Sequence, residues 1–577
     1  MAVGGDAAAP SGSAPGGSAA RTSFGRRPPW SAPSAVRINE AYRGGAGPPP
    51  RRGADRQGEE GLTVRSPAMA EQWGLDPRTP VLVGVGQVTC PLVPGEDLTA
   101  RDEPVALMAR ALQAAADDAG RIAGRRLLQR AASIRVMVPL SWRYADPGAL
   151  VAERLGISPA ESALTAIGGN GPQSVVNQSA AAIAAGELDA VLVTGAECIA
   201  TRIAARRDPD RPLLPWTSQP DTTPAPVPIG SDRAPVTDFE LARGLDRPLR
   251  VYPLFENSLR HAAGRSLADH TAAIAALWSR LSAVAATNPY AWSREALDAR
   301  AIAEVGPGNR MISFPYPKLM NANDRVDQGA ALILCSVEAA LAAGVSRDRF
   351  VFPVAGTDAN DHWFLTHRAN LHSSPAIRVA GARALELAGV GIDDVALVDL
   401  YSCFPCAVEI GAAELGLPLD DPGRPLTVTG GLAFAGGPGN NYVTHAVATM
   451  ADRLRAEPAA TGLVTGLGWY ATKHAVGIWS ASPPRRGFRH DTPQQAVDAL
   501  PQCAPAGDYE GEAAVETYTV VHDAAGEPEL GILALRTADA RRTWANVTDA
   551  ATLAGLEAEE GCGRPARVLA GARAELR

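Results

Sequence analysis

The chain contains 577 residues, of which 46% are hydrophobic and 20% charged, the composition of a globular protein with material for about three to four domains. Its net charge of −8 and pI near 5.7 argue against nucleic acid as the main partner, and no run of about 18 apolar residues predicts a membrane span. The seven cysteines are odd in number and scattered, so we predict free thiols in a reducing cytoplasm rather than a disulfide framework.

The N-terminal segment, residues 1–68, is rich in Gly, Pro, Ser, Ala and Arg and has no apolar periodicity. Such a composition buries too little apolar surface to offset the entropy of ordering, so we predict that this segment is disordered. Met69 offers an alternative start of the protein, in which case the residues before it are a gene-model extension.

Strand and helix patterns alternate from Pro80 onward. VLVGVGQV and IRVMVPL predict buried strands, and PVALMARALQAAADDAG carries apolar residues at helical spacing. Residues 78–200 with 327–350 form one α/β half, residues 351–482 form a second, and the Pro- and Arg-rich stretch 201–326 is predicted to be an insertion over one sheet edge. This alternation predicts a parallel sheet covered by helices.

The composition changes again after the second half, and residues 485–577 are predicted to form a separate small β domain. Two β-rich runs, within GEAAVETYTVVHDAAGEPELGILALR, are joined by a turn that contains Gly526 and Pro528. This pattern predicts a β-hairpin.

The tetrapeptide Leu-Val-Thr-Gly occurs twice, at residues 192–195 and 463–466. The segment that contains the first copy reads IGGNGPQSVVNQSAAAIAAGELDAVLVTGAE from Ile167, and the segment that contains the second reads AGGPGNNYVTHAVATMADRLRAEPAATGLVTGLG from Ala435. Both therefore run Gly-Gly turn, helix, strand, Gly, which indicates a duplicated unit. Because the first N–H groups of a helix are unpaired, each turn is a candidate place for an anion or an activated nucleophile.

Two such halves interrupted by a long insertion resemble the thiolase fold. The blocks NPYAWS at Asn288, DQGAALIL at Asp327, DLYSCFP at Asp399, GGLAFAGGPG at Gly430 and LVTGLG at Leu463 are similar to blocks of the sterol-carrier type of thiolase. The resemblance covers residues 78–480 and extends to thiolase-like proteins of actinobacteria that carry an additional C-terminal domain and the label acetyl-CoA acetyltransferase. It implies an α/β thiolase fold of two duplicated halves with a loop-domain insertion, plus the C-terminal β domain.

Thiolases use a nucleophilic cysteine at a helix start, a histidine in a Gly-His-Pro turn and a second cysteine as acid and base. By resemblance these three positions fall on Gly169, Gly437 and Gly466, so the side chains that carry out thiolysis are missing. Backbone N–H groups at Gly169 and Gly468 remain candidates for the main-chain oxyanion pocket of the family.

Three side chains near these blocks are candidate catalytic residues. Tyr401 takes the position of the Asn or His that orders a catalytic water in the family, and Cys403 keeps the cysteine of the His-Asp-Cys-Phe form of that block. His474, beside Lys473, is able to polarise a carbonyl or move a proton. The alternative interpretation is that Cys403 and Cys406 are small buried residues and that His474 is a hydrogen-bonded histidine between core strands.

Three arginines at the start of the insertion, Arg202, Arg206 and Arg207, are candidates for binding the phosphate groups of CoA, which the thiolase loop domain carries. The alternative is a solvated loop. No pair of Cys or His ligands at zinc spacing follows the Cys-x-x-Cys of residues 403–406, so no metal and no covalently bound cofactor is predicted.

Three functions follow from the resemblance. The first is an acyl-CoA-binding protein of the acetyl-CoA acetyltransferase type whose thiolytic activity is weak or lost. The second is a non-covalent reaction on an acyl-CoA that uses Tyr401, Cys403 or His474. The third is a non-enzymatic scaffold for acyl or lipid ligands that docks a protein partner through its C-terminal domain. In each case we expect a homodimer or a monomer.

Overall fold

The computed structural model describes residues 74–577, so the predictions for residues 1–68, including the alternative start at Met69, lie outside the described residues. No helix in the described part of the chain has both the length and the apolar character needed to cross a bilayer. The helices span Pro104–Asp118, Arg121–Arg130, Pro147–Leu155, Gly171–Ala184, Ile199–Arg207, Asp238–Leu241, Pro248–Ala262, Leu267–Thr287, Ala299–Ala303, Val337–Ala343, Pro375–Ala388, Pro405–Leu415, Gly431–Phe434, Tyr442–Ala456, Gln494–Asp498 and Ala550–Ala558.

The first sheet is mixed rather than parallel. Its six strands lie in the order Pro80–Thr89, Asp327–Ser336, Ala190–Cys198, Ser133–Val136, Glu161–Thr165 and Val227–Ile229. The predicted parallel sheet is only partly right, because Asp327–Ser336 runs antiparallel to both of its neighbours, whereas the last four strands are parallel. Val227–Ile229 comes from the segment interpreted as an insertion, and it covers the edge beside Glu161–Thr165.

The second sheet comes from the second half of the chain. Its five strands lie in the order Leu397–Asp399, Thr461–Gly468, Lys473–Ser480, Phe352–Asn360 and Arg489–Asp491. Lys473–Ser480 is antiparallel to both neighbours, and its register places Lys473 opposite Gly468 and His474 opposite Leu467. A tight turn between these two strands therefore brings the WYATKHAVG segment directly against the second Leu-Val-Thr-Gly copy.

Two helices lie between the sheets. Gly171–Ala184 and Tyr442–Ala456 each contact strands of both sheets, while Pro104–Asp118 covers the first sheet and Pro375–Ala388 the second. Gly171–Ala184 is rich in small residues and is buried on most of its circumference, as a helix enclosed on both sides must be. Each half of the chain thus contributes one sheet and one central helix, which confirms the duplication that the repeated tetrapeptide predicts.

The C-terminal region forms a small barrel. Gly511–His522 pairs with Pro528–Thr537, which confirms the predicted hairpin, and also with Pro565–Leu569. Arg542–Val547 joins Pro528–Thr537 to Arg573–Leu576, and the last strand pairs back onto Pro565–Leu569, so the five strands close a ring. With a helix between the third and fourth strands, this is the connectivity of an OB-type barrel.

The barrel is joined to the rest of the protein by backbone pairing and by buried side chains. Met311–Ser313, from the insertion, pairs with Gly511–His522 and extends the barrel sheet. The Arg542 guanidinium is fully buried, lies 2.6 Å from the Glu516 carboxylate and donates to the carbonyl oxygens of Leu365 and Arg368 at 2.7 and 2.6 Å. Because each of these groups is withdrawn from water, the contact holds the barrel in one position.

Replacing Arg542 by methionine should lower the free energy of unfolding by about 3–5 kcal/mol, because the Glu516 carboxylate and two backbone carbonyls lose a buried partner. The measurement is chemical denaturation of the full chain. Arg541→Met is the matched control, since its ion pair with Asp539 is exposed, and it should change stability by no more than about 1 kcal/mol. Equal losses for the two variants would contradict the role given to Arg542.

Candidate functional site

The two repeated units meet where the first turn lies against the second strand. Gly466, at the end of the second Leu-Val-Thr-Gly, approaches the first turn so closely that an added Cβ would lie 2.9 Å from the Cα of Asn170 and 3.4 Å from the Gly169 carbonyl oxygen. Real Cβ atoms do not approach other atoms to less than about 3.0 Å without displacing them. The structure therefore brings Gly169 and Gly466 together, and it leaves no space for a cysteine at position 466.

The Tyr401 hydroxyl fills the position beside Gly169. A Cβ built on Gly169 would overlap the Tyr401 hydroxyl oxygen and lie 2.6 Å from the Leu467 carbonyl oxygen. Tyr401 is buried, its backbone N–H donates to Thr465 Oγ1 at 2.9 Å, and its ring packs edge-on against Tyr442. Burial raises the pKa of Tyr401 above its ordinary value, so the phenol stays neutral and is a hydrogen-bond donor rather than a base.

The space that remains around Tyr401 is very small. A cavity of about 10 Å³ is lined by Tyr401, Gly466, Leu467 and His474, with the apolar side chains of neighbouring helices closing it. A volume of about 10–15 Å³ is the least that holds one water molecule. The predicted candidates Tyr401 and His474 thus share a cavity, but an acyl thioester does not fit into it in this conformation.

His474 belongs to a buried network of hydrogen-bonding groups. Its Nε2 lies 3.1 Å from the Ala471 carbonyl oxygen, 3.4 Å from Asp361 Oδ2 and 3.4 Å from Ser374 Oγ, and Ser374 donates to Asp361. Burial alone would raise the pKa of Asp361, yet the hydrogen bond with His474 and the charge of Arg368 hold it below its ordinary value. This carboxylate orients the imidazole, and it was missed at the sequence level because residues 361, 374 and 474 are brought together only by the fold.

Cys403 and Cys406 are buried thiols that do not line the Tyr401 cavity. Burial raises the pKa of Cys403 to about 12 and that of Cys406 well above its ordinary value. The Cys406 thiol donates to the Tyr252 carbonyl oxygen at 3.4 Å. Since the thiolate is the nucleophilic form, this environment favours the interpretation of both residues as small buried side chains.

A thiol-specific reagent should therefore modify Cys90 in the native protein, and Cys403 only after unfolding. Cys90 is the one partly exposed thiol among the seven, all of which are described, and the Arg110 guanidinium lies 3.5 Å from its sulfur. Stopped-flow titration with an aromatic disulfide measures the number of fast thiols, and Cys90→Ser is expected to remove the fast phase. If the fast phase is lost in Cys403→Ser instead, Cys403 is the reactive thiol of the native protein and becomes a candidate nucleophile again.

The Gly437 turn lies apart from the Tyr401 cavity. An added Cβ at Gly437 would lie 3.3 Å from the Asn323 carbonyl oxygen, so this position is less crowded than Gly169 or Gly466. Nearby, Gly439 packs against the buried carboxylate of Glu197. Burial raises the pKa of Glu197 to about 7, although backbone N–H groups donate to it. Sequence reasoning missed this acid, which lies two residues after the first Leu-Val-Thr-Gly and still within the strand Ala190–Cys198.

The three candidate arginines lie on the helix Ile199–Arg207, away from the Tyr401 cavity. Arg202 is half-buried and donates weakly to the Leu140 carbonyl oxygen at 3.4 Å, and burial lowers the pKa of its guanidinium. Arg206 and Arg207 are exposed in the last turn of the helix. Their role in phosphate binding stays a prediction, as does the oxyanion role of the Gly169 and Gly468 N–H groups.

Two duplicated α/β halves, with a glycine turn and a helix start held between their sheets, define a thiolase-like fold. The chain belongs to the type 1 SCP2-thiolase-like proteins. It is 33% identical to a monomeric SCP2-thiolase-like protein type 1 from Mycobacterium smegmatis, with a TM-score of 0.73 over 87% of this chain and 100% of that chain. Residues 493–571 match the model of the thiolase-like protein type 1 additional C-terminal domain.

More distant solved structures share the fold. They include the dimeric peroxisomal thiolase of Saccharomyces cerevisiae, with 13% identity over 70% of this chain and 98% of that one. An acetyl-CoA acetyltransferase from Syntrophomonas wolfei has 14% identity over 70% of this chain and 99% of that one, and both TM-scores are 0.50. At these identities the likeness concerns the fold alone. A search of curated proteins finds no match.

Replacing Gly169 by alanine should destabilise the protein by about 1–3 kcal/mol, because the new methyl group overlaps the Tyr401 hydroxyl and the Leu467 carbonyl. The measurement is the thermal or chemical unfolding midpoint. Gly555→Ala is the control, since this helical glycine has no atom near its added methyl group and alanine favours the helix by up to about 1 kcal/mol. Adding Tyr401→Phe to Gly169→Ala should restore part of the loss. Unchanged stability in Gly169→Ala would contradict the filled position.

Proposed function

We propose that this protein is a thiolase-like acyl-CoA-binding protein that has lost the thiolytic cycle. The observation that carries the proposal is the Tyr401 hydroxyl, which occupies the volume that a side chain at Gly169 would need. Thiolysis by the family mechanism requires an acylated cysteine at that place, and a neutral, buried phenol does not replace a thiolate as nucleophile.

The remaining groups near the site support the same conclusion. The Cys403 thiol is kept protonated by its high pKa and does not line the cavity, and the Nε2 atom of His474 is already close to Asp361 and the Ala471 carbonyl oxygen. A base without a nucleophile to activate does not start the covalent cycle.

Binding of the CoA moiety is supported by the arginines on the helix Ile199–Arg207. Within the described chain no carboxylate forms an ion pair with Arg206 or Arg207, whose exposed guanidinium groups are therefore free to take phosphate oxygens. Arg202 lies one turn earlier on the same helix.

We further propose that the protein acts as a monomer in the cytoplasm, in line with its monomeric relative and with seven cysteines that are all free.

Calorimetric titration with CoA should give measurable binding, and Arg206→Met with Arg207→Met should weaken it by about tenfold or more, equal to about 1.4 kcal/mol. Arg300→Met, an exposed helical arginine of the insertion, is the control and should leave the dissociation constant unchanged. Acetoacetyl-CoA supplied with free CoA should yield acetyl-CoA no faster than the buffer blank. Thiolysis well above the blank would contradict the proposed loss of the thiolytic cycle. No detectable binding of CoA would contradict the proposal that CoA is a ligand.

A non-covalent reaction at Tyr401 requires the 10 Å³ cavity to open around the substrate.

Docking of a partner through the C-terminal domain also remains a proposal, and removal of the whole barrel does not test it. The buried Arg542 and Trp544 contacts to residues 365–368 show that such a truncation exposes the core of the main body. Substitutions on the exposed barrel surface are the informative variants.

A further inference from the structure

A second, larger cavity lies on the other side of the first glycine turn, separate from the Tyr401 cavity. Its volume is about 230 Å³, and its walls come from the end of strand Glu161–Thr165, the start of helix Gly171–Ala184, the strand Val227–Ile229 and the ends of strands Phe352–Asn360 and Lys473–Ser480. Ligand pockets for drug-sized molecules have volumes of about 300–1,000 Å³, so this cavity suits a smaller molecule.

Lys473 brings a buried positive charge to the wall of this cavity. Its side chain passes along Gly168 and Gly468, and only 6% of the residue is exposed. The ammonium group donates to the carbonyl oxygens of Ile167 and Ser231 at 2.9 and 2.7 Å, which uses two of its three hydrogens. One N–H donor is left for a ligand.

No carboxylate neutralises this ammonium group. Across residues 74–577, no Asp or Glu oxygen lies within ion-pair distance of Lys473 Nζ, and Asp232, which acts on it from further away, is exposed. Asp358, behind the cavity wall, is already used: His490 Nε2 lies 2.9 Å from it, and Ser174 donates to it. Buried charges in proteins are normally paired, so an unpaired buried cation beside a cavity indicates an anionic ligand.

The other walls restrict the chemistry of that anion. The Trp363 ring lies 5.9 Å from Lys473 Nζ and also packs under the Arg233 guanidinium at 4.8 Å, so both cations of this region are beside the same aromatic surface. Ala166 and Ile229 add apolar surface, and the rest of the lining supplies hydroxyl and amide groups, from Thr165, Asn170, Ser174, Gln178, Ser231 and Asn360. Among the described residues that line this cavity, Lys473 is the one cation, whereas phosphate groups are usually held by several cationic donors together. A ligand with a single carboxylate therefore fits better, and Ala166, Ile229 and Trp363 offer apolar surface to a short hydrocarbon chain.

We propose that this cavity, lined by Lys473, Trp363 and Asn170, is a binding site for a short-chain monocarboxylate. The N-terminus of helix Gly171–Ala184 lies at the cavity wall, where the helix dipole adds to the positive potential of Lys473. The site requires neither CoA nor the Tyr401 cavity, so it stands independently of the proposed acyl-CoA binding.

Nuclear magnetic resonance on lysine side chains tests the proposal without any variant of the site, because the chain contains only two lysines, Lys318 and Lys473. Protein labelled with ¹³C at lysine Cε gives two signals, and Lys318→Met assigns them; Lys318 is exposed and serves as the internal control. Millimolar butyrate should move the Lys473 signal along a saturating curve and leave Lys318 in place. Butyramide, the neutral analogue of the same shape, should move neither.

A Lys473 signal that does not respond to butyrate would overturn the proposal, and so would equal movement of both lysines, which indicates an ionic-strength effect. A response to inorganic phosphate that exceeds the response to butyrate would overturn the assignment to a carboxylate. As a second measurement, butyrate should raise the unfolding temperature of Lys318→Met as much as that of the unmodified protein, and should not raise that of Lys473→Met. Equal stabilisation of Lys473→Met would also overturn the site.

Discussion

The structure depends on a close approach between two backbones, the first glycine turn and the second Leu-Val-Thr-Gly strand. Gly466 and Gly468 face Asn170 and Gly168 at distances that no side chain larger than hydrogen permits. This contact joins the two halves, because the helix that begins at Gly171 lies between both sheets. The close packing of the two halves at this junction therefore requires glycine at position 466 in this chain.

The same contact redistributes the chemistry of the junction. The Tyr401 hydroxyl lies in the volume that a side chain at position 169 would need, and only a water-sized cavity remains beside it. The nearest imidazole, that of His474, is held by Asp361 within a buried network. On the opposite side of the turn, glycines at 168 and 468 allow the Lys473 side chain to pass and deliver its charge to a larger cavity. The turn thus separates the water-sized Tyr401 cavity from the larger cavity beside Lys473.

The sequence predicted the architecture better than the strand directions. Periodicity and the repeated tetrapeptide located both halves, and the turn at Gly526 located the hairpin, because these signals are local. The antiparallel course of Asp327–Ser336 and the edge strand Val227–Ile229 were not predictable, since strand direction depends on long-range pairing. Strands Arg542–Val547 and Arg573–Leu576 close the barrel through one residue pair, Asn546 with Arg573, and no sequence pattern predicts this pairing.

By itself, the sequence determined that positions 169, 437 and 466 are glycine, and the resemblance predicts that these positions carry the catalytic side chains of thiolases. Only the tertiary structure decided which groups surround these glycines. It placed Tyr401 rather than Cys403 against Gly169, paired His474 with Asp361, and put Lys473 beside a cavity without a carboxylate. The reason is physical. The residue type at one position can be read from the sequence, whereas volume, burial and charge balance depend on groups that are distant in the chain and meet only in the fold.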